Sequence, residues 1–343
     1  MELSIGVGAV GDADIEQTVQ FVQFAESLGV QYVWSAEAWG ADAVTSIAYL
    51  AGRTQKIRLG TGIMQISARA PAMTAMTALS LAKLSNDRFL LGLGVSGPQV
   101  VEGLHGVPYA APLTRLRETV DIVRLAASGE KIRYAGKHHQ LPLPQGEGKA
   151  IRLSHPPRNI PIFLATISPR SLAYTGAAAD GWLGTSFSPN HAEAHLAHLR
   201  RGAEQAGRDL TDIALHVSCT IGIGDDVERM VDAKKAGVAF NMGAMGSANT
   251  NFYNEAFQRA GFVDDALAIQ RLWLDGRREQ AAARVPDEMV TEFGAIGTPA
   301  MVSERLKLYE ATGINCLNLR LDLVEPKARY ALLEQAVDLA NGL

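Results

Sequence analysis

Short β-rich runs alternate with longer amphipathic segments along almost the whole chain, and no other feature limits its fold so strongly. Leu3–Val7, Gln31–Ser35, Ile57–Ile63, Phe89–Gly94, Ile160–Ala165, Gly181–Gly184, Ile213–Ile221 and Ile314–Leu321 read as strands. Helices are expected near Ile15–Leu28, Asp42–Arg53, Pro71–Leu84, Pro112–Ala127, Arg170–Ala178 and Asn190–Ala206, then from Asp226, near Met301–Thr312 and near Lys327–Leu339. In the first of these, Val19, Phe21, Val22, Ala25 and Leu28 make one apolar stripe, Asp12 or Asp14 is the cap, and Gly29 is the stop. Runs such as Phe89-Leu-Leu are apolar without alternation, as in a parallel sheet buried on both faces. The rhythm breaks twice, at about 129–160 (a hairpin and loop) and at about 240–290 (helical and glycine-punctuated).

Two architectures give such a rhythm, and glycine separates them. Gly92-Leu-Gly94-Val-Ser-Gly97 and Gly6-Val-Gly8-Ala-Val-Gly11 are both literal G-x-G-x-x-G matches. A doubly wound dinucleotide domain needs one, with its third glycine inside the first helical turn. Here Gly11 precedes Asp12-Ala13-Asp14 and Gly97 precedes Pro98, so neither third glycine opens a long helix. Glycine at several strand ends fits a barrel whose strand C-termini crowd their backbones around one ligand. The expected fold is α/β: a (β/α)8 TIM barrel, one domain over 1–343, with insertions after strand 4 and strand 7.

Composition narrows the partners. A net charge of −4 offers no basic footprint for nucleic acid or an anionic membrane surface. No apolar run is long enough to cross a bilayer, and Met-Glu-Leu-Ser-Ile lacks a leader's basic and apolar regions, so a cytoplasmic protein is expected. Cys219 and Cys316 have no C-x-x-C spacing and read as buried free thiols.

In a barrel, chemistry sits at the strand C-termini. In order these read Gly6–Gly8, Ala36-Glu37, Gly62-Ile63, Ser96-Gly97, Ala165-Thr166, Gly184-Thr185 and Ser218, with Glu37 the one carboxylate. A rim so short of ionisable groups suits a large, flat, neutral ring better than hydrolysis, which wants paired carboxylates, a metal or a Ser–His couple. At Ala165-Thr-Ile-Ser168-Pro-Arg170, a strand ends and a Ser-Pro pair opens a helix with an arginine in its first turn. That is either a phosphate seat or an ordinary N-cap. His191, His195 and His198 share a helix face but lack an H-E-x-x-H, so they read as a solvated outer face and no metal is expected. His138-His139 reads as a surface pair. Glu102, His105 and Tyr109 read as a substrate mouth or as loop packing, and Met242, Met245, Phe252, Tyr253 and Trp273 as a ring cover or as core.

Over essentially its full length the chain resembles the luciferase-like superfamily, specifically its coenzyme F420-dependent oxidoreductases. The carrying segments are Tyr-Val-Trp-Ser-Ala-Glu-Ala-Trp-Gly-Ala-Asp-Ala (32–43), Leu-Gly-Thr-Gly-Ile-Met-Gln-Ile-Ser-Ala-Arg-Ala-Pro-Ala-Met-Thr-Ala (59–75) and Gly-Leu-Gly-Val-Ser-Gly-Pro-Gln-Val (92–100). Ala-Asp-Gly-Trp (179–182), Asn-Met-Gly-Ala-Met-Gly-Ser (241–247) and Asn-Phe-Tyr-Asn (251–254) add to them. The resemblance implies a deazaflavin in the mouth of a TIM-type barrel and a non-prolyl cis peptide at Gly62–Ile63. It puts Ser96 and Gly97 beside the ring, Ala165, Thr166, Ser168 and Arg170 on the phosphate side, and Glu37 at the chemistry, with Trp39 as a wall. Relatives that oxidise alcohols or sugar phosphates have a histidine after the strand-two acid, where this chain has Ala38. Relatives that reduce methylene-pterins have a glutamate at the position of Gly6.

The function so implied is hydride transfer between C5 of F420 and an organic small-molecule substrate. Glu37 then either moves a proton or only hydrogen-bonds the ring. Alternatives are an FMN-dependent luciferase-like monooxygenase, a non-catalytic flavin-binding protein and a nicotinamide dehydrogenase. A homodimer is expected from the resemblance.

Overall fold

The computed structural model describes residues 1–7, 14–245, 251–321 and 325–343. Gly8, Gly11, Asp12 and the end of the 241–247 motif (Gly246, Ser247) therefore lie outside the described residues. The strands are β1 (Glu2–Val7), β2 (Tyr32–Ser35), β3 (Arg58–Thr61), β4 (Met64–Gln65), β5 (Phe89–Gly94), β6 (Tyr134–Ala135), β7 (Gln140–Leu141), β8 (Ile162–Leu164), β9 (Gly181–Gly184), β10 (Ala214–Ile223), β11 (Gly294–Gly297) and β12 (Cys316–Arg320).

The hydrogen-bonded order β10-β12-β1-β2-β3-β5-β8-β9 is closed by a β9–β10 pairing, giving an eight-stranded parallel α/β barrel. The (β/α)8 expectation holds. β2 and β5 are buried throughout, with all six residues of Phe89–Gly94 buried. Among the described residues no helix is long and apolar enough to cross a membrane. Cys219 and Cys316 are free and buried, as the spacing indicated.

Contacts group the chain into two units. One comprises residues 6–26 and 31–165, the other 1–5, 27–30 and 166–343. In the first, β2, β3, β5 and β8 run parallel, with the short β4 also beside β5. Helix Ile15–Ser27 buries Val19, Phe21, Val22 and Ala25 as its stripe predicts, and Asp14 Oδ1 accepts from the Glu16 N–H at 3.0 Å. Helices Pro71–Leu84 and Pro112–Ala127 begin at proline, whose missing N–H costs nothing in a first turn. The first insertion is an antiparallel β6–β7 pair. Glu118, buried on helix Pro112–Ala127, ties it down by accepting from the N–H groups of Lys137, His138 and His139 and lying in hydrogen-bond contact with His139 Nδ1 at 3.0 Å. The histidine pair is therefore anchored, a correction to its reading as plain surface.

In the second unit, β10 pairs with β9, β12 and β11. The second insertion builds its own core from Met242, Phe257, Ile269 and Met289, with Trp273 packed against it. Core packing is thus the outcome for Met242 and Trp273. Asn251 and Asn254, both buried, donate to Met242 O and Ala266 O at 2.7 Å each, which accounts for the Asn-Phe-Tyr-Asn spacing. Strand β11, between the second insertion and the helix near Met301 where the sequence marks no element, pairs with the last four residues of β10.

His195 departs most clearly from expectation. It is 1 % exposed, packed at tilted ring angles against Trp182 and Phe187, and neither ring nitrogen has a hydrogen-bond partner among the described residues. Burial, and then the positive charges of Arg259 and His198, push its pKa down to about 3. The folded value lies below the unfolded one, so the contribution is complete above about pH 6.5 and is lost as pH falls toward 3. We expect stability in urea to fall by about 1.4 kcal/mol per pH unit through that window from this group. His195→Leu should flatten this acid limb of the midpoint-against-pH curve; an unchanged limb would assign it elsewhere. No cluster of three or more His, Cys, Asp or Glu with metal-holding geometry occurs among the described residues.

Candidate functional site

The end of β2 packs directly against β3. Trp34 lies across β3, where a Cβ on Gly60 would come within 2.2 Å of its ring and one on Gly62 within 3.0 Å of its own Cβ. These two glycines serve close approach, not a special φ. Glu37 follows two residues after β2. Its N–H donates to Ile63 O at 3.1 Å, and the Gly62 N–H donates to Ser35 O at 2.6 Å, so the two strand ends are stitched together. The Gly62–Ile63 peptide is cis, as the resemblance implied. Behind it, Gly94 at the end of β5 leaves room for the Ile63 side chain, which a Cβ would meet at 3.0 Å.

The Glu37 carboxylate is 8 % exposed and accepts hydrogen bonds at both oxygens. Arg69 Nη1 donates to its two oxygens at 2.5 and 3.0 Å, and the Gln65 N–H donates to Oε2 at 3.0 Å. Gln65 Nε2 also donates to the carbonyls of Glu37 and Ala38. Asp42, the N-cap of helix Ala43–Ala51, stands 4.0 Å from Arg69 Nη2. The sequence marks Glu37 as the rim's one carboxylate but does not mark Arg69 as its partner. Its segment, Ser67-Ala-Arg69-Ala-Pro71, has no periodicity to mark it, and the pair forms across 32 residues. Trp39 is 67 % exposed, so it stands in solvent and walls nothing in this structure.

Ser35 Oγ and Gln65 Oε1 on this rim are buried without a partner among the described residues. Ser96 takes a left-handed φ of 57°, uncommon without glycine and costing on the order of 1 kcal/mol. Its carbonyl accepts from Tyr109 Oη at 3.2 Å, and the Tyr109 N–H donates to Glu102 at 2.9 Å. Glu102 and Tyr109 thus pack the loop that holds Ser96. Gly97 begins the short helix Pro98–Val101. The structure therefore brings Glu37, Gly62, Ile63, Ser96 and Gly97 to the ends of adjacent strands in one unit, joined by an uncharged backbone surface and one neutralised ion pair. Ala165 follows β8 in the same unit, its N–H bonded to Leu93 O. A cavity of about 420 Å³ lined by Arg158, Ile160 and Ile162 lies at the opposite, N-terminal end of β8 and has no part in this rim.

In the second unit, Ser168 caps helix Pro169–Ala178 through a reciprocal box with Ser171, and Pro169 holds the first turn. Thr166 is buried, shares a 2.7 Å hydrogen bond with Thr175 and accepts from Trp182 Nε1. Arg170 is exposed and forms no ion pair among the described residues. A second cation, unread from sequence, serves the same loop. Arg259 Nη2 donates to Ile167 O at 2.8 Å, while its buried Nε has no partner. The helix N-terminus with two arginines fits an anionic group of phosphate type.

The sequence profile of the luciferase-like monooxygenase family matches residues 3–316. A Mycobacterium tuberculosis protein provisionally named a coenzyme F420-dependent oxidoreductase is 37 % identical over 326 residues, covering 92 % of this chain and 94 % of its own length. The 5,10-methylenetetrahydromethanopterin reductase of Archaeoglobus fulgidus is 27 % identical, covering 91 % of each chain. The F420-dependent tetrahydromethanopterin reductase structure from Methanopyrus kandleri superposes with a TM-score of 0.81 over 98 % of each chain at 22 % identity, a likeness of fold. With its closed parallel barrel and a profile match over more than nine-tenths of its length, the chain belongs to the luciferase-like monooxygenase family.

Proposed function

We propose that this oxidoreductase transfers a hydride between coenzyme F420 and an organic substrate. The observation that carries the reading is the rim at the ends of β2, β3 and β5. Its one carboxylate is already compensated by Arg69, and the rest is backbone, with Ser35 Oγ and Gln65 Oε1 buried and unspent. Such a surface accepts a flat, neutral ring bearing hydrogen-bonding edges. When bound, F420 supplies two-electron hydride chemistry at C5. Ile63, backed by β5, presents the apolar surface for the ring, and Ser96 and Gly97 offer backbone groups to its edge. Within the second unit, Thr166, Ser168, Arg170 and Arg259 by themselves suit an anion of phosphate type.

Glu37, with both oxygens accepting hydrogen bonds, acts as an acceptor: it takes a proton from substrate, or passes one on, at its Oε atoms. Glu37→Gln should lower kcat while leaving F420 affinity within a few fold. Full turnover with an unaltered pH profile would remove the proton-transfer role. Methylene-pterin reduction does not carry over from the relatives, because Gly6 brings no side chain where that chemistry has its glutamate. Direct titration decides the cofactor. Quenching of F420 fluorescence should report tight, stoichiometric binding, with FMN at least a hundredfold weaker, a gap of about 2.7 kcal/mol. The reverse order would make the protein an FMN-dependent monooxygenase.

A further inference from the structure

Beside the Glu37–Arg69 pair, the first unit encloses a cavity of about 360 Å³ that the proposed reaction does not use. We infer that it binds a small carboxylic acid with an apolar body, the carboxylate being held by Arg115 and Ser67. Ile66, Val95, Val101 and Val107 supply the apolar wall, and no acidic side chain lines the space. The volume falls at the lower end of the range of small-ligand sites.

The polar groups around the cavity differ in what they have left to give. Arg69 gives Nη1 to Glu37 and turns Nη2 toward Asp42 at 4.0 Å, so its charge is already compensated. Thr119 Oγ1 donates to Arg115 O at 2.8 Å, and His139 Nδ1 is taken by Glu118. Arg115 uses only Nε, donated to Ala110 O at 3.1 Å, and its two terminal nitrogens have no partner among the described residues. Ser67 Oγ is buried without a partner. The unspent set is a guanidinium edge plus a hydroxyl beside hydrocarbon. A carboxylate matches it, since its two oxygens accept from the parallel N–H groups of one arginine while a third donor reaches the remaining lone pairs. A neutral ligand would leave the arginine charge uncompensated, and a cation would be repelled by it. A dianionic phosphate finds one unspent cation and no backbone nest.

The test needs neither F420 nor turnover, so its result is separate from the fate of the proposed function. Hexanoate and hexanamide are titrated into the protein and followed by shifts in its methyl NMR spectrum. Saturable hexanoate binding in the millimolar range is expected, with hexanamide at least tenfold weaker, as for loss of one charged hydrogen-bonded contact. Arg115→Gln should weaken hexanoate at least tenfold, and Ser67→Ala about threefold. Equal binding of acid and amide, no saturable binding of hexanoate, or full affinity in Arg115→Gln would each overturn the inference. The acid–amide comparison stands even if a variant fails to fold.

Discussion

Arg69→Met is expected to cost about 3 kcal/mol of stability, because it strands the buried Glu37 carboxylate with one backbone donor. Arg69 itself is one-fifth exposed, which keeps the figure at the lower end for a broken buried pair. The loss should appear as a lower urea midpoint with an unchanged m value. Pairing the change with Glu37→Leu should restore much of the stability, since an apolar pair of similar volume leaves no uncompensated charge. F420 affinity should fall in both proteins, because the turn from Glu37 to Gln65 loses its tie. A single variant as stable as the parent would show that the ion pair does not fasten this rim.

Gly202→Ala is expected to be more damaging than most glycine substitutions. A Cβ at Gly202 would lie 1.8 Å from Ala173 O, and one at Gly176 would lie 2.0 Å from Leu199 O. The obstacles are backbone atoms, so helices Pro169–Ala178 and Glu193–Gln205 would have to part. Overpacking of this kind costs about 3 kcal/mol or more. The first of these helices begins at Ser168, so affinity for inorganic phosphate or F420 should fall with stability. Gly237→Ala, at an exposed helical position with nothing within 4 Å, is the control and should raise stability by up to about 1 kcal/mol. Equal melting temperatures for the two variants would refute the close-packing argument.

Much of the barrel was legible because local signals marked its parts. Phe89–Gly94, Gly181–Gly184, Pro71–Leu84 and Pro112–Ala127 fall at the boundaries that glycine and proline set in the sequence. β11 was not legible. Gly-Ala-Ile-Gly stands outside the eightfold strand–helix alternation, and its partner is the extension of β10 over Thr220–Ile223. His195 could have been read better, since 195, 199, 202 and 203 fall on one buried stripe of helix Glu193–Gln205.

What the sequence determined by itself was the repeating strand–helix order, the family and the strand-end positions of Glu37, Gly62, Ile63, Ser96 and Gly97. Each rests on residues near one another in the chain, where backbone preference and apolar period act directly. Tertiary structure alone decided that Arg69 neutralises Glu37, that Arg259 caps the carbonyl of Ile167, and that Arg115 and Ser67 remain unspent beside a cavity. These depend on which polar groups meet across tens of residues once water is excluded, and pairing at that range leaves no mark in local sequence.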